Sequence, residues 1–143
     1  MTERSTQLHD NNIYSYVVLC DRRQIVLHTE FKEVTPAVYA DVIFSGVVAH
    51  NFEDVLAGNI VFQIDEVDVE AIVKEWSDLF AQRKNYGWPD DIVYSDPSNL
   101  VAILKQRGIK AFEISSSYGL FGWVFAERME VRQREQRFKY ATA

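Results

Sequence analysis

The side chains able to do covalent or acid–base chemistry in this 143-residue chain are few: one cysteine, three histidines and a run of three serines stand out. A nucleophile needs its base within about 3 Å. Cys20 and His28 are the closest thiol and imidazole in sequence. On a hairpin turning at Asp21-Arg22-Arg23 they lie on opposite faces, or on one face about 13 Å apart at ~3.3 Å per residue. Cys20 therefore reads as a small packed side chain. Ser115, Ser116 and Ser117 end a strand with no histidine near them, so a triad needs His9, His28 or His50 brought in by the fold. Phosphate-cradling glycine loops, a G-x-S-x-G elbow and an H-E-x-x-H pair are all absent from the sequence.

Two further groups bear on binding. Asp65-Glu66-Val67-Asp68-Val69-Glu70 is acidic but lacks the central glycine and distal glutamate of a calcium loop. Acids also gather at a helix N-terminus because the dipole favours them. His50, between Ala49 and Asn51, reads as a hydrogen-bonded core histidine. Its functional alternative is a pocket with Asp65, Glu66 and Tyr118, in which a carboxylate raises its pKa. The second group is aromatic: Tyr86-Gly87-Trp88-Pro89 and Ser117-Tyr118-Gly119-Leu120-Phe121-Gly122-Trp123. Brought together, Tyr86, Trp88, Tyr118 and Trp123 frame a groove for a partner. Otherwise Trp88 and Trp123 fill the core between helix and sheet. No catalytic residue, metal-ligand set or cofactor is expected.

The elements that must position these residues follow from periodicity. Residues 1–12 read as a flexible arm. Ile13 to Cys20 and Ile25 to Phe31 alternate as a hairpin, Val38 to Phe52 as one long strand with Gly46 as a bulge or bend, and Ile60 to Ile64 as a fourth strand. From Asp68 the period becomes 3.6: Val69, Ile72, Val73, Trp76 and Phe80 share a helix face, with Asp68 as N-cap and Gly87 as the left-handed residue after it. A shorter helix is capped by Asp96 or Ser98, carries Pro97 in its first turn and ends at Gly108. Ile109 to Ser115 and Leu120 to Met129 form a last hairpin. The expected fold is α+β: an antiparallel sheet of about six strands with two helices on one face, in the order ββββααββ. It is one domain over residues 13–131, followed by a basic tail over residues 132–143.

Three stretches carry a resemblance: Gly58-Asn59-Ile60-Val61-Phe62-Gln63-Ile64-Asp65-Glu66, Asn85-Tyr86-Gly87-Trp88-Pro89, and Ala111 to Leu120 with Gly122-Trp123-Val124. Over roughly residues 38 to 130 the chain resembles a family of small uncharacterised bacterial proteins, a domain of unknown function. The resemblance implies no activity and brings no catalytic residues with it.

Charge narrows the partner. The net charge is -6, and beyond Val131 the chain turns basic, with Arg132, Arg134, Arg137 and Lys139 against Glu135. An acidic body disfavours nucleic acid and anionic membrane, where phosphates must be neutralised. No run approaches the ~18 apolar residues of a membrane span. A single cysteine fits a reducing, cytoplasmic setting. The first reading is a non-enzymatic module that binds a protein partner, with an immunity-type protein masking a basic toxin as the concrete version. A small-molecule or enzymatic domain with a pocket near His50 is the second, and a homodimer built on the aromatic surface is the third.

Overall fold

The computed structural model describes residues 8–139. Eight strands form one sheet: β1 (Asn12–Leu19), β2 (Gln24–Phe31), β3 (Val38–Ser45), β4 (Ala49–Glu53), β5 (Ile60–Val67), β6 (Lys110–Tyr118), β7 (Phe121–Ala126) and β8 (Arg128–Arg134). Three short helices lie between β5 and β6: α1 (Val69–Glu75), α2 (Ser77–Arg83) and α3 (Pro97–Gln106). The strand order across the sheet is β4-β7-β6-β5-β1-β2-β3-β8, and every pairing is antiparallel.

The sheet is two four-stranded halves joined by a narrow seam. Between β1 and β5 only Asn12 and Ile60 are paired. The halves fold onto each other around an inner core, in which Ile25, Leu27, Val42 and Phe44 of β2 and β3 meet Phe112, Ile114, Val124 and Ala126 of β6 and β7. A second core lies on the other side of β4-β7-β6-β5, where Val69, Ile72, Val73, Phe80, Leu100 and Leu104 of the helices cover Ala49, Ala111, Trp123 and Phe125. β6 and β7 are therefore sandwiched between two cores, which is why β7 is apolar almost throughout. Gly122 lies where β4 crosses close to β7. A Cβ there would run into the Asn51 carbonyl oxygen.

Asn59 pins the seam. It is buried. Its Nδ2 donates to the carbonyls of Ile13 (3.3 Å) and Leu56 (2.8 Å), and its Oδ1 accepts from the backbone N–H groups of Leu56 (2.9 Å) and Leu120 (2.8 Å). One side chain thus satisfies backbone groups from β1, the β4–β5 loop and the β6–β7 turn, which would otherwise lack partners away from water.

Four features correct the sequence expectation of six strands and two helices. The stretch from Val38 to Phe52 is two strands, because Gly46 takes a left-handed φ of 66° and turns the chain. β3 then lies beside β8, while β4 runs at the opposite edge of the sheet. The long helix is two, because Trp76 (φ -104°, ψ 26°) leaves the helical region. The stretch from Leu120 onward is also two strands: at Glu127, whose N–H donates to Ser45 O at 2.9 Å, the chain leaves β7 and enters β8 alongside β3. The observed order is βββββαααβββ.

The termini differ from a loose arm and a tail. Residues 1–7 of the expected arm fall outside the described residues. Leu8 is buried in the inner core, Asp10 N–H donates to Val61 O at 2.9 Å, and Asn11 Nδ2 donates to Thr29 Oγ1 at 3.0 Å. The boundary at Val131 falls inside β8, and the segment after it packs back onto β1 and β2. The helix caps follow local chemistry: Asp68 accepts from Glu70 N–H and Asp96 from Asn99 N–H, both at 2.8 Å.

Candidate functional site

The helices pack on one row of the outer face of β4-β7-β6-β5, formed by Ala49, Phe125, Ala111 and Val67. Directly paired residues share a face, so the next row is Asn51, Trp123, Glu113 and Asp65. Trp123 in this row is fully covered, with ring contacts to Trp76 at 6.3 Å, Phe80 at 5.8 Å and Trp88 at 6.2 Å. Glu113 and Asp65 are only half-buried. Further along, Glu53 pairs with Phe121, and Gln63 with Ser115. These positions run out from under the helices. They leave a hollow of about 330 Å³ lined by Glu75, Trp76, Glu113, Ser115, Phe121 and Trp123.

The electrostatics of this face are one-sided. Among the described residues, Glu53, Asp65, Glu75 and Glu113 make no ion pair. Asp65 and Glu113 are direct cross-strand partners, and like charges so placed destabilise a sheet. The Gln63 amide donates a hydrogen bond to Asp65. Trp123 is one of the residues lining the hollow, and its buried indole N–H has no hydrogen-bond partner among the described residues. Phe121 and Trp76 supply partly exposed aromatic surface beside the carboxylates.

The other residues singled out from sequence are dispersed. Trp88 packs with Trp123 in the helix-side core, whereas Tyr86 and Tyr118 are 85% and 57% exposed at separate places on the surface. Tyr118 lies five residues along β6 from Glu113, about 17 Å at ~3.4 Å per residue. The four aromatics do not frame one groove. His50 pairs with Val124 on the inner face, in register with Phe112 and then Glu66. Three strand spacings of ~4.8 Å put His50 and Glu66 about 14 Å apart, and Asp65 points to the opposite face. The pocket of His50, Asp65, Glu66 and Tyr118 is not assembled. Burial alone lowers the His50 pKa below its ordinary 6.5, instead of a carboxylate raising it. His50 lines an open cleft of about 660 Å³ with Cys20, Arg23, Trp88 and Asp90, where Arg23 and Asp90 pair with each other at 2.7 Å.

The histidine that does meet a serine is His28. Its Nδ1 shares a 2.8 Å hydrogen bond with Ser15 Oγ, and its cross-strand neighbour on β3 is Asp41. Serine, histidine and aspartate thus lie in a row, but the row is not arranged for acyl transfer. Asp41 Oδ2 binds Arg134 at 2.9 Å, and Phe138 stacks on the imidazole at 3.9 Å and 4°. Acyl transfer also requires free donors aimed at an oxyanion, and amides in the middle of a sheet are committed to the ladder. Burial lowers the His28 pKa, with Asp41 opposing it to a lesser degree. Sequence reasoning passed over this row because polar residues alternating on strands look like a wet face.

Among the described residues, no group of three or more His, Cys, Asp and Glu is arranged to hold a metal ion, and no helix is long and apolar enough to cross a membrane. No family model, no curated protein and no solved structure matches the chain.

Proposed function

We propose that this chain is a non-enzymatic protein-binding module whose uncovered acidic face, at the end of α1 and across β6 and β7, receives a basic segment of a protein partner. The observation that carries the reading is Asp65 directly opposite Glu113, neither of them in an ion pair among the described residues, with Glu75 beside Glu113 in the lining of the hollow. A sheet keeps such a pairing at a cost in stability, and a lysine or arginine from outside removes the cost. The aromatic surface of Trp76 and Phe121 takes the aliphatic stem and the cation of such a side chain. The net charge of -6 speeds encounter with a basic protein. An immunity-type role, masking a basic toxin in the cytoplasm, is the concrete form of the proposal.

The test is an NMR titration of the labelled full chain with a synthetic peptide alternating lysine and arginine. Shifts are expected to centre on Glu113, Phe121 and the Trp123 indole N–H. The Glu75→Gln, Glu113→Gln double variant is expected to bind about tenfold more weakly, the 1.4 kcal/mol of one modest charge-assisted contact. Shifts scattered evenly over all acidic segments, or binding unchanged in the double variant, would overturn the reading.

A further inference from the structure

The outer face of β1, β2 and β3 buries charge. Glu30 and Asp41 are only 4% and 9% exposed, and His28 between them is 2% exposed. A buried carboxylate is costly unless paired and hydrogen-bonded. The partners arrive from the last described residues of the chain. Arg137 pairs with Glu30 at 2.7 Å, and its guanidinium lies 3.9 Å from the centre of the Tyr14 ring. Phe138 stacks face to face on His28, and its backbone N–H donates to the Tyr14 hydroxyl at 2.9 Å. Arg134 at the end of β8 pairs with Asp41 and lies 5.3 Å from the Phe138 ring. Lys32 gives Glu30 a second, looser contact at 3.4 Å.

The two sides of this contact are built differently. The floor belongs to the sheet: a register shift between Ile13 and Ser15 sets Tyr14 beside His28, with ring centres 6.1 Å apart, and Tyr39 closes the far side at 6.5 Å from Tyr14. The cover is the segment that follows β8, and its contacts with the floor include the Arg137 and Phe138 side chains and the Phe138 backbone N–H. The Arg137 side chain is 46% exposed. Asp41 Oδ1 is buried with no hydrogen-bond partner among the described residues, so the floor has acceptor capacity that the tail through Lys139 does not use.

We infer that this face is a recognition pocket for an arginine followed by an aromatic residue, filled in cis by Arg137 and Phe138, and that a protein partner carrying that pair binds here by displacing the tail. Glu30 and the Tyr14 ring select the guanidinium through charge and cation–π attraction. The flat imidazole of His28 selects an aromatic ring. A tethered ligand acts at an effective concentration in the millimolar range, so the resident tail weakens any competitor until it is displaced or altered. The pocket lies on the half-sheet away from the acidic face and does not depend on that face having a partner.

The experiment uses the full chain with Arg137→Ala and Phe138→Ala, and a fluorescent peptide of residues 135–139. The double variant should bind the peptide at least tenfold more tightly than the unaltered chain. Binding should restore the ring-current shift of the His28 imidazole proton that the Phe138→Ala change removes. A peptide with alanine in place of the arginine and the phenylalanine should bind at least tenfold more weakly. The single variant Phe138→Ala, which keeps the Arg137–Glu30 pair, serves in the same titration if the double variant does not fold. The inference fails if a folded variant binds the peptide no better than the unaltered chain does, or if the alanine peptide binds equally well.

Discussion

The half-sheet β4-β7-β6-β5 hides Ala49, Ala111, Trp123 and Phe125 of its outer face under α1, α2 and α3, whereas β1-β2-β3-β8 hides Glu30, His28 and Asp41 of its own under residues 134–138. The first cover is apolar and aromatic: Trp123 touches Trp76, Phe80, Trp88 and Phe125. The second is polar: Glu30, Asp41 and His28 below, Arg134, Arg137 and Phe138 above. Burying a large apolar side chain contributes about 1.5–3 kcal/mol. A buried ion pair returns little beyond its desolvation cost, although losing one partner is severe. The helix layer therefore holds the fold, while the tail covers and pairs the charges on the sheet beneath it. A cover of the second kind is exchangeable for a ligand of the same chemistry, and one of the first kind is not.

The largest expected effect falls on the helix-covered half. Trp123→Ala removes the ring at the centre of that layer and should cost about 3–5 kcal/mol in urea denaturation. Phe138→Ala on the other half should cost about 1–2 kcal/mol, because its ring is partly exposed and Arg137 still holds Glu30. Equal losses would erase the distinction between the two covers.

Acid should act on the halves unequally. Burial lowers the pKa of His28 and of His50 in the folded chain, and the unfolded chain takes up the proton near the ordinary value of 6.5. The unfolded state then binds more protons below that pH, so the stability from these groups is complete above about 6.5 and declines as pH falls further. Charged His28 disrupts a network that holds the tail, whereas His50 sits half-buried against Phe52 at the open cleft. Between pH 7.5 and 5.5 the urea midpoint should fall, and amide exchange should quicken in β1 to β3 before β6 and β7. If His50→Gln alone abolishes the acid response, the tail-covered half is not the sensitive one.

The same contrast explains what could be read from the sequence. The caps Asp68 and Asp96, the stops Gly87 and Gly108, and the apolar face from Val69 to Phe80 are local facts, and local chemistry carries them. Gly46 was legible as an irregularity only, because the strand pattern resumes beyond it. That β4 crosses to the other edge is a long-range choice. Trp76 keeps the helical spacing even though its backbone leaves the helix. Met129 and Val131 facing inward between Arg128, Glu130 and Arg132 form a period-two pattern, yet the charges end the expected strand at Met129 and place residues 132–134 of β8 in the basic tail. Asn59 resembles any loop asparagine until the four backbone groups around it are known. In the acidic site Asp65 stood out for its neighbours in sequence. Glu113 did not, since its meaning comes from the register that sets it opposite Asp65.

That register yields the smallest effect and the one with an opposite sign. Glu113→Gln keeps the shape of the side chain and removes one of two facing negative charges. Cross-strand pairs of this kind are worth about 0.2–1 kcal/mol, so the variant should be more stable than the unaltered chain by an amount in that range. The gain should shrink as salt rises, since the repulsion being relieved lies near solvent. Binding of a basic peptide should move the other way and weaken. A variant that is less stable instead would mean that Glu113 holds the sheet together. The uncovered face would then belong to the fold, and the contrast between the halves would extend to their edges as well as their covers.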